Sequence, residues 1–340
     1  MPPTGPRHLL KARPDPLLLS MVVPAFNEEA MIPVLRRRWT EYVQTLPVAV
    51  ELVIVNDGST DGTLSLLLEW AEADRRVKVL GLARNFGHQA AITAGLDAAG
   101  GQAVVIIDAD LQDPLEVIPD MLSRYRQGYD VVYGQRSGRQ GESALKRLTA
   151  WAFYRLMRLF VHADLPPDTG DFRLISRACL DALKTMRETH RFLRGMVAWV
   201  GYPQVAVSYQ RQARAAGETK YPLWKMIRFA WTAALSFSPA PLRLILAGGL
   251  FVALIGLAEG GYAVARALII HDTQPGWPSL IAITCLMGGA ILMSIGILGE
   301  YISRIFEESK GRPLYLVSTT ANLETPSTGE GAVEQQAGRA

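Results

Sequence analysis

The chain has 340 residues, enough for two or three domains, and 49% of them are hydrophobic, which is high for a wholly water-soluble protein and places part of it in a membrane. A net charge of +3 with no basic run argues against nucleic acid as a partner. Two distant cysteines, Cys179 and Cys285, exclude a disulfide or zinc framework; five scattered histidines, read as surface or capping residues, argue against a histidine-built metal site.

The first 16 residues, MPPTGPRHLLKARPDP, are proline-rich and basic and lack the apolar core of a secretory signal, which predicts a disordered arm that stays in the cytoplasm. Over residues 17–133, short apolar runs (LLLSMVVP, VELVIVN, VKVLGLA, AVVIID, DVVYG) alternate with amphipathic stretches near 28–43, 61–73, 88–99 and 115–126. Strand and helix in regular alternation predict a parallel sheet covered on both faces. Each strand ends in polar residues: Asn27 and Glu28 after Pro24 and Ala25, then Asn56 and Asp57, Arg84 and Asn85, Asp108 and Asp110, and Gln135 and Arg136. Ligands of open α/β sheets bind outside the carboxyl ends of the strands, so five such ends define one crevice. No GxGxxG or GxxxxGK[ST] glycine loop is present, which argues against nicotinamide, flavin and P-loop sites. A nucleotide can instead be held through base and ribose by carboxylates such as Glu28 and Asp57.

The fourth run carries the chemistry. Val104, Val105, Ile106 and Ile107 deliver Asp108 and Asp110, which point the same way because they are two residues apart at a strand end. Hard oxygen ligands at that spacing suit Mg²⁺ or Mn²⁺ bridging nucleotide phosphates, with Gln112 adding a neutral oxygen. The competing reading makes Asp108 the cap of a helix starting at Pro114, and Asp110 and Asp113 solvated turn residues.

Residues 143–163 read as a basic amphipathic helix, with Leu145, Leu148, Ala152, Leu156 and Leu159 at helical spacing beside Lys146, Arg147, Arg155 and Arg158; a lipid surface or packing on the sheet would both suit it. DTGDFRLISR then sets Asp168, Asp171 and Arg173 around another short strand. Residues 222–238 mix aromatics with Lys225 and Arg228 and read as an interfacial segment. Residues 279–299 carry no charge over 21 positions, enough at about 1.5 Å per residue to cross a hydrocarbon core of about 30 Å. Residues 244–265 read as a second span, interrupted only by Glu259, which is given a structural role near Arg266. Lys220, Lys225, Arg228 and Arg243 precede the pair and Arg304, Lys310 and Arg312 follow it, so the positive-inside bias puts both termini and the large domain in the cytoplasm.

Taken together, VVPAFNEE, VNDGSTDGT, RNFGHQAAITAGLDAA, IDADLQDP, YGQR, TGDFRL, AGETKYP and GEYISRIFEESKGRPLYLV resemble the GT-A-fold, family 2 glycosyltransferases that load a sugar onto polyprenyl phosphate. The likeness is greatest to undecaprenyl-phosphate glucosyltransferases of the GtrB type and more distant to dolichyl-phosphate mannose synthases. Processive synthases carry a QxxRW block where this chain reads RFLRGMVAW, which argues against processivity.

The resemblance implies an α/β GT-A cytoplasmic domain with a Rossmann-like, mostly parallel sheet (17–221); the residue pattern adds a juxtamembrane amphipathic segment (222–240), two transmembrane helices (241–305) and a short strand region (306–317), and the polar tail outside the resemblance, low in aromatics, reads as disordered (318–340). The resemblance also implies a multi-pass enzyme of the inner membrane, and an inverting, metal-dependent hexosyltransferase. Pro24, Ala25, Asn27, Glu28 and Asp57 would hold the donor nucleotide, with Asp108 also touching it. Asp108, Asp110 and Gln112 would hold Mg²⁺ or Mn²⁺. Arg136 and Arg147 would hold the acceptor phosphate, and Asp171 falls in the active-site block. Asn56 departs from the double aspartate usual before that glycine. The donor is expected to be UDP-glucose and the acceptor polyprenyl phosphate; GDP-mannose or an amino-arabinose donor, or an inactive scaffold for a flippase or polysaccharide assembly, are the alternatives. The GRPLYLV strand is expected to pair with a neighbouring subunit, making a homo-oligomer.

Overall fold

The structure is a computed structural model that describes residues 10–136, 169–210, 240–270 and 276–323. The basic stretch 143–163, with Arg147, and the interfacial stretch 222–238 therefore lie outside the described residues. The chain divides into two compact units: the sheet with its covering helices, and a unit containing the two long C-terminal helices.

The sheet has eight strands: β1 (Leu18–Ala25), β2 (Ala49–Asn56), β3 (Val77–Leu82), β4 (Ala103–Ile106), β5 (Val131–Arg136), β6 (Thr169–Ser176), β7 (Gln204–Tyr209) and β8 (Val317–Ala321), in the order β7-β5-β6-β4-β1-β2-β3-β8. Period-two alternation sorts their side chains into two cores. Leu19, Met21 and Val23 of β1 and Leu52 and Ile54 of β2 pack with α1 (Ile32–Val43), α2 (Thr63–Ala73) and α4 (Ile118–Arg126), around the buried Trp39 and Trp70. Val22, Val53, Val55, Val104 and Ile106 pack on the other face, with α3 (His88–Ala98), α5 (Arg177–Thr185) and α6 (Leu193–Trp199). Each such fully buried side chain contributes about 1.5–3 kcal/mol. The start of α1 lies later than the amphipathic pattern implied: Glu28 to Met31 form a turn, and Pro33 opens the helix where its missing N–H costs nothing.

Three features differ from the sequence expectation. The pairs β1–β2, β1–β4 and β2–β3 are parallel as expected, but the sheet as a whole is mixed: β6 runs antiparallel between β4 and β5, and β8 antiparallel beside β3. Because β6 is reversed, its amino-terminal end lies at the carboxyl edge of its neighbours, with Ile106 opposite Arg173 and Gln135 opposite Thr169. Second, the strand near the C-terminus is Val317–Ala321, starting at the last residue of GRPLYLV rather than filling it, and it pairs with β3 of its own chain. Asn322, in the left-handed region, pins it by donating to the carbonyls of Ala71 and Val77, so residues 318–323 of the tail are part of the fold, and the strand's described partner is its own chain. Third, the N-terminal arm is packed from Leu10 onward: Arg13 donates to the Asp130 carboxylate at 3.0 Å and lies over the Tyr125 ring at 4.8 Å.

In the second unit, α7 (Ala240–Ile270) and α8 (Trp277–Ser309) have 31 and 33 residues. Among the described residues, Leu286–Ser309 is long and apolar enough to cross a membrane, later than the predicted 279–299. In α7 the apolar stretch is the shorter Ala247–Gly256. Large apolar side chains are exposed on both helices, among them Leu250, Phe251 and Leu254 on α7 and Leu286, Leu292 and Met293 on α8.

Candidate active site

The loops after β1 and β2 are tied to each other by side chains that replace missing backbone partners. Asn27, left-handed at φ 53°, donates its N–H to Ser59 Oγ and accepts from the Thr60 N–H, both at 2.9 Å. The Glu28 N–H donates to Thr63 Oγ1 at 2.9 Å, and the Gly62 N–H to Glu29 Oε2 at 3.0 Å. Pro24 and Ala25 lie opposite Val55 and Asn56 in the ladder, and the Ala25 carbonyl accepts from the Asp57 N–H. Asn56 is buried, with Oδ1 lacking a hydrogen-bond partner among the described residues.

Asp57 binds the third loop into the same lattice. Its carboxylate is buried and accepts from the Phe86 N–H at 2.8 Å and the Gly87 N–H at 3.0 Å. Burial nevertheless raises its pKa, outweighing those two amides and the charges of His88 and Arg84. The approach is close because Gly58, at φ +65°, has no Cβ; one added there would lie 2.3 Å from the Arg84 carbonyl carbon. Three loops thus form one tied floor at the carboxyl edge of β1, β2 and β3.

Next to this floor, β4 releases Asp108 and Asp110. The Gln112 N–H donates to Asp110 Oδ1 at 3.1 Å, and Leu111 between them is left-handed at φ 52°. That conformation costs a leucine roughly 1–2 kcal/mol, strain of the kind that collects at functional sites. The pKa of Asp108 is pushed up to about 6, first by burial and then by the charges of Asp113, Asp171 and Asp110, with His88 opposing. Three carboxylates besides Asp108 act on this point, a surplus of negative charge that a bound cation would offset. Among the described residues no three His, Cys, Asp or Glu side chains are placed to hold a metal by themselves. The donor set therefore fits a hard divalent cation shared with phosphate oxygens and water, rather than one caged by protein.

The reversed β6 supplies the next residues. Asp171, Arg173 and Ile175 alternate onto the α3 face of the sheet. Asp171, 6% exposed, is gripped by Arg194 from α6, with Nε at 2.8 Å from Oδ1 and Nη2 at 3.3 Å from Oδ2. His88 Nε2 lies 3.3 Å from Asp171 Oδ2 and 3.8 Å from Asp108 Oδ1, and Gln89 reaches the same Asp171 oxygen at 3.4 Å. Burial alone would raise the pKa of Asp171, but His88 and Arg194 hold it well below the usual carboxylate range. Burial alone would lower the pKa of His88; Asp171 and Asp108 outweigh it, so His88 is raised. Arg173, fully enclosed, is pushed down to about 10 by burial and donates to the Gly170 carbonyl at 2.9 Å.

On the opposite face, Arg136 ends β5 directly across from Tyr209 at the end of β7, and the Tyr209 hydroxyl donates to the Asp113 carboxylate. Asp113 is buried, not a solvated turn residue.

The structure thus gathers Asp57, Asp108, Asp110, Gln112, Asp171 and Arg136 along one edge of the sheet, with Asn27 and Glu28 in the first loop; Arg147 lies outside the described residues. It adds His88, Gln89, Asp113, Arg194 and Tyr209. His88 is exposed at the start of α3, as a surface histidine would be, but it also lies between two carboxylates. Its signal was its position, directly after the third strand-end loop. Arg194 lies in RFLRGMVAW, a stretch whose sequence pattern marked only a departure.

A mixed α/β sheet with paired aspartates at its carboxyl edge is the arrangement expected of a GT-A-type sugar-transfer enzyme. Residues 20–184 match the glycosyl transferase family 2 model, and residues 240–305 match the GtrB C-terminal hairpin. An uncharacterized glycosyltransferase, YkcC, of Bacillus subtilis (strain 168) is 45% identical over 305 residues, covering 90% of this chain and 94% of that protein. The bactoprenol glucosyl transferase of Shigella phage SfV is 42% identical over 299 residues, covering 88% of this chain and 97% of that protein. A prophage bactoprenol glucosyl transferase homolog of Escherichia coli (strain K12) is 40% identical, covering 88% and 98%. The chain belongs to glycosyltransferase family 2, in the branch that carries the GtrB C-terminal hairpin.

Proposed function

We propose that this chain transfers glucose from UDP-glucose to a polyprenyl phosphate at the cytoplasmic face of a membrane, giving a polyprenyl-phosphate-linked glucose. The observation that carries the reading is the Asp108–Asp110 pair on the carboxyl edge, in a chain 42% identical over nearly its whole length to a bactoprenol glucosyl transferase.

Pro24, Ala25, Asn27, Glu28 and Asp57 form the nucleotide side. Asn27 acts there by fixing the second loop, since its side-chain oxygen already accepts from Thr60. Asp108, Asp110 and Gln112 would hold Mg²⁺ or Mn²⁺ against the donor diphosphate. When bound, the ion neutralises charge on the departing nucleoside diphosphate. Arg136 and Arg147 orient the acceptor phosphate, because guanidinium forks match phosphate oxygens and offset the repulsion between two anionic substrates.

The acceptor needs no strong base, since a phosphate monoester with a second pKa near 6 is already largely the dianion at neutral pH. Asp171 fits that economy. Clamped by Arg194 and His88 with a depressed pKa, it is a poor proton acceptor and serves to hold those two side chains at the rim of the site. Direct attack by the phosphate oxygen on the anomeric carbon inverts its configuration.

Both α7 and α8 act as membrane spans in this reading, with both termini and the sheet unit on the cytoplasmic side. The support is the exposed apolar surface of both helices, which water would disfavour and lipid accepts, and the arginines and lysines flanking the pair.

The test is incubation of the purified full chain in detergent with undecaprenyl phosphate, Mg²⁺ or Mn²⁺, and a panel of radiolabelled nucleotide sugars, counting label that partitions into organic solvent. Label from UDP-glucose is expected. Label only from another nucleotide sugar would replace the donor, and no lipid label from any donor would overturn the reading.

A further inference from the structure

Tyr209 occupies a position that neither the strand-end pattern nor the proposed mechanism uses. Its ring is buried at the end of β7 and packs edge-on against Phe172, with centroids 5.5 Å apart and planes at 82°. Gly134 makes the room, since a Cβ there would lie 2.7 Å from Phe172 and 2.8 Å from Tyr209. The ring is therefore seated by packing among the described residues, and its hydroxyl is delivered to one place.

At that place the hydroxyl lies between opposite charges. It donates to Oδ1 of the buried Asp113, and Arg136 stands directly across from Tyr209 in the β5–β7 ladder, where its charge acts on the phenol. Asp113 directly follows Gln112, in the loop that begins at Asp108. One phenol thus links the arginine at the end of β5 to the loop that carries the paired aspartates. A hydroxyl between a cation and an anion is polarised by both and strengthened in the same direction.

We infer that Tyr209 is a positioning residue for transfer: its hydroxyl sets the Arg136 guanidinium relative to the Asp108–Gln112 loop, and so sets the acceptor phosphate relative to the donor diphosphate. The inference rests on the proposed roles of Arg136 and of the aspartate pair. Alignment is where such a link has leverage, because a displacement of about 1 Å between reacting groups costs roughly a hundredfold in rate. The packed ring makes Tyr209→Phe a clean probe, removing the link without removing the packing.

The experiment compares the purified full chain with Tyr209→Phe, Arg136→Lys and the double variant, measuring melting temperature, kcat and the separate KM values for undecaprenyl phosphate and the nucleotide sugar. Tyr209→Phe is expected to raise the acceptor KM about tenfold and lower kcat, with the donor KM changed less than about twofold. Added to Arg136→Lys, it is expected to cost less than about a further twofold, because two residues acting through one contact are not additive. Unchanged kinetic constants would overturn the inference. So would a lowered melting temperature with both KM values raised alike, or full additivity in the double variant. Absence of lipid-linked product from the unsubstituted chain would instead overturn the functional reading, and the inference with it.

Discussion

Replacing Gly58 with alanine tests whether the first three loops are one tied floor. Two costs are readable from the structure. Gly58 is at φ +65°, where a Cβ costs about 1 kcal/mol relative to glycine. The same Cβ would lie 2.3 Å from the Arg84 carbonyl carbon and 2.5 Å from the Asn85 nitrogen, and both are backbone atoms that cannot rotate away. Moving that backbone is overpacking, worth about 1–3 kcal/mol. The sum is about 2–4 kcal/mol, or roughly 4–16 °C in the melting temperature of a unit this size. The displaced backbone is also the segment that leads into the Phe86 and Gly87 amides on Asp57, so affinity for the donor nucleotide should fall with stability. Gly87→Ala gives the contrast. Gly87 is at φ +98° but a Cβ there meets nothing within 4 Å, so only backbone strain of about 1–3 kcal/mol applies. Differential scanning fluorimetry in detergent, with UDP titration beside it, reads both effects. A Gly58→Ala melting temperature within about 1 °C of the unsubstituted chain would refute the reasoning.

Two further substitutions address stability and membrane insertion. Glu51 is buried in β2; burial alone would raise its pKa, but Lys78, Ser20 and the Gly100 amide outweigh it and the net shift is downward. A carboxylate depressed on folding stabilises above its unfolded pKa of about 4.3 and loses that contribution as pH falls through the folded value. Melting temperature should therefore drop below about pH 4.3 more steeply in the unsubstituted chain than in Glu51→Gln, which should already melt lower at pH 7; parallel curves would contradict this. Leu292, 71% exposed on α8, lies within the proposed span, so Leu292→Lys should cost about 3 kcal/mol of insertion free energy and lower the carbonate-resistant membrane fraction. An unchanged fraction would argue that this face of α8 does not meet lipid.

Local pattern carried the first half of the fold. The β-branched runs and the polar residues after them placed β1 to β5, and the Asp108–Asp110 spacing marked the site, because period two and strand-end position are properties of contiguous residues. Strand direction is not such a property. TGDFRL reads as a short strand in either sense, and only its antiparallel ladder with β4 and β5 brings Asp171 to the carboxyl edge. The partners of Asp171 lie 83 residues before it and 23 after it, so His88 and Arg194 meet there only through tertiary packing. Arg13 and Asn322 were lost for a related reason. Each anchors a segment of polar composition through a few specific hydrogen bonds, to Asp130 in one case and to the carbonyls of Ala71 on α2 and Val77 on β3 in the other. Composition registers polarity and misses such anchors.

The central claim is that the Asp108–Asp110 pair makes sugar transfer to a lipid phosphate depend on a divalent cation. The most direct measurement is single-turnover transfer of label from UDP-[14C]glucose to undecaprenyl phosphate by the unsubstituted chain and by Asp110→Asn, each with Mn²⁺ and with EDTA. The account predicts lipid-linked label only from the unsubstituted chain with Mn²⁺, while Asp110→Asn stays folded and membrane-inserted without product. Equal label from the two proteins, or equal label in EDTA, would contradict it.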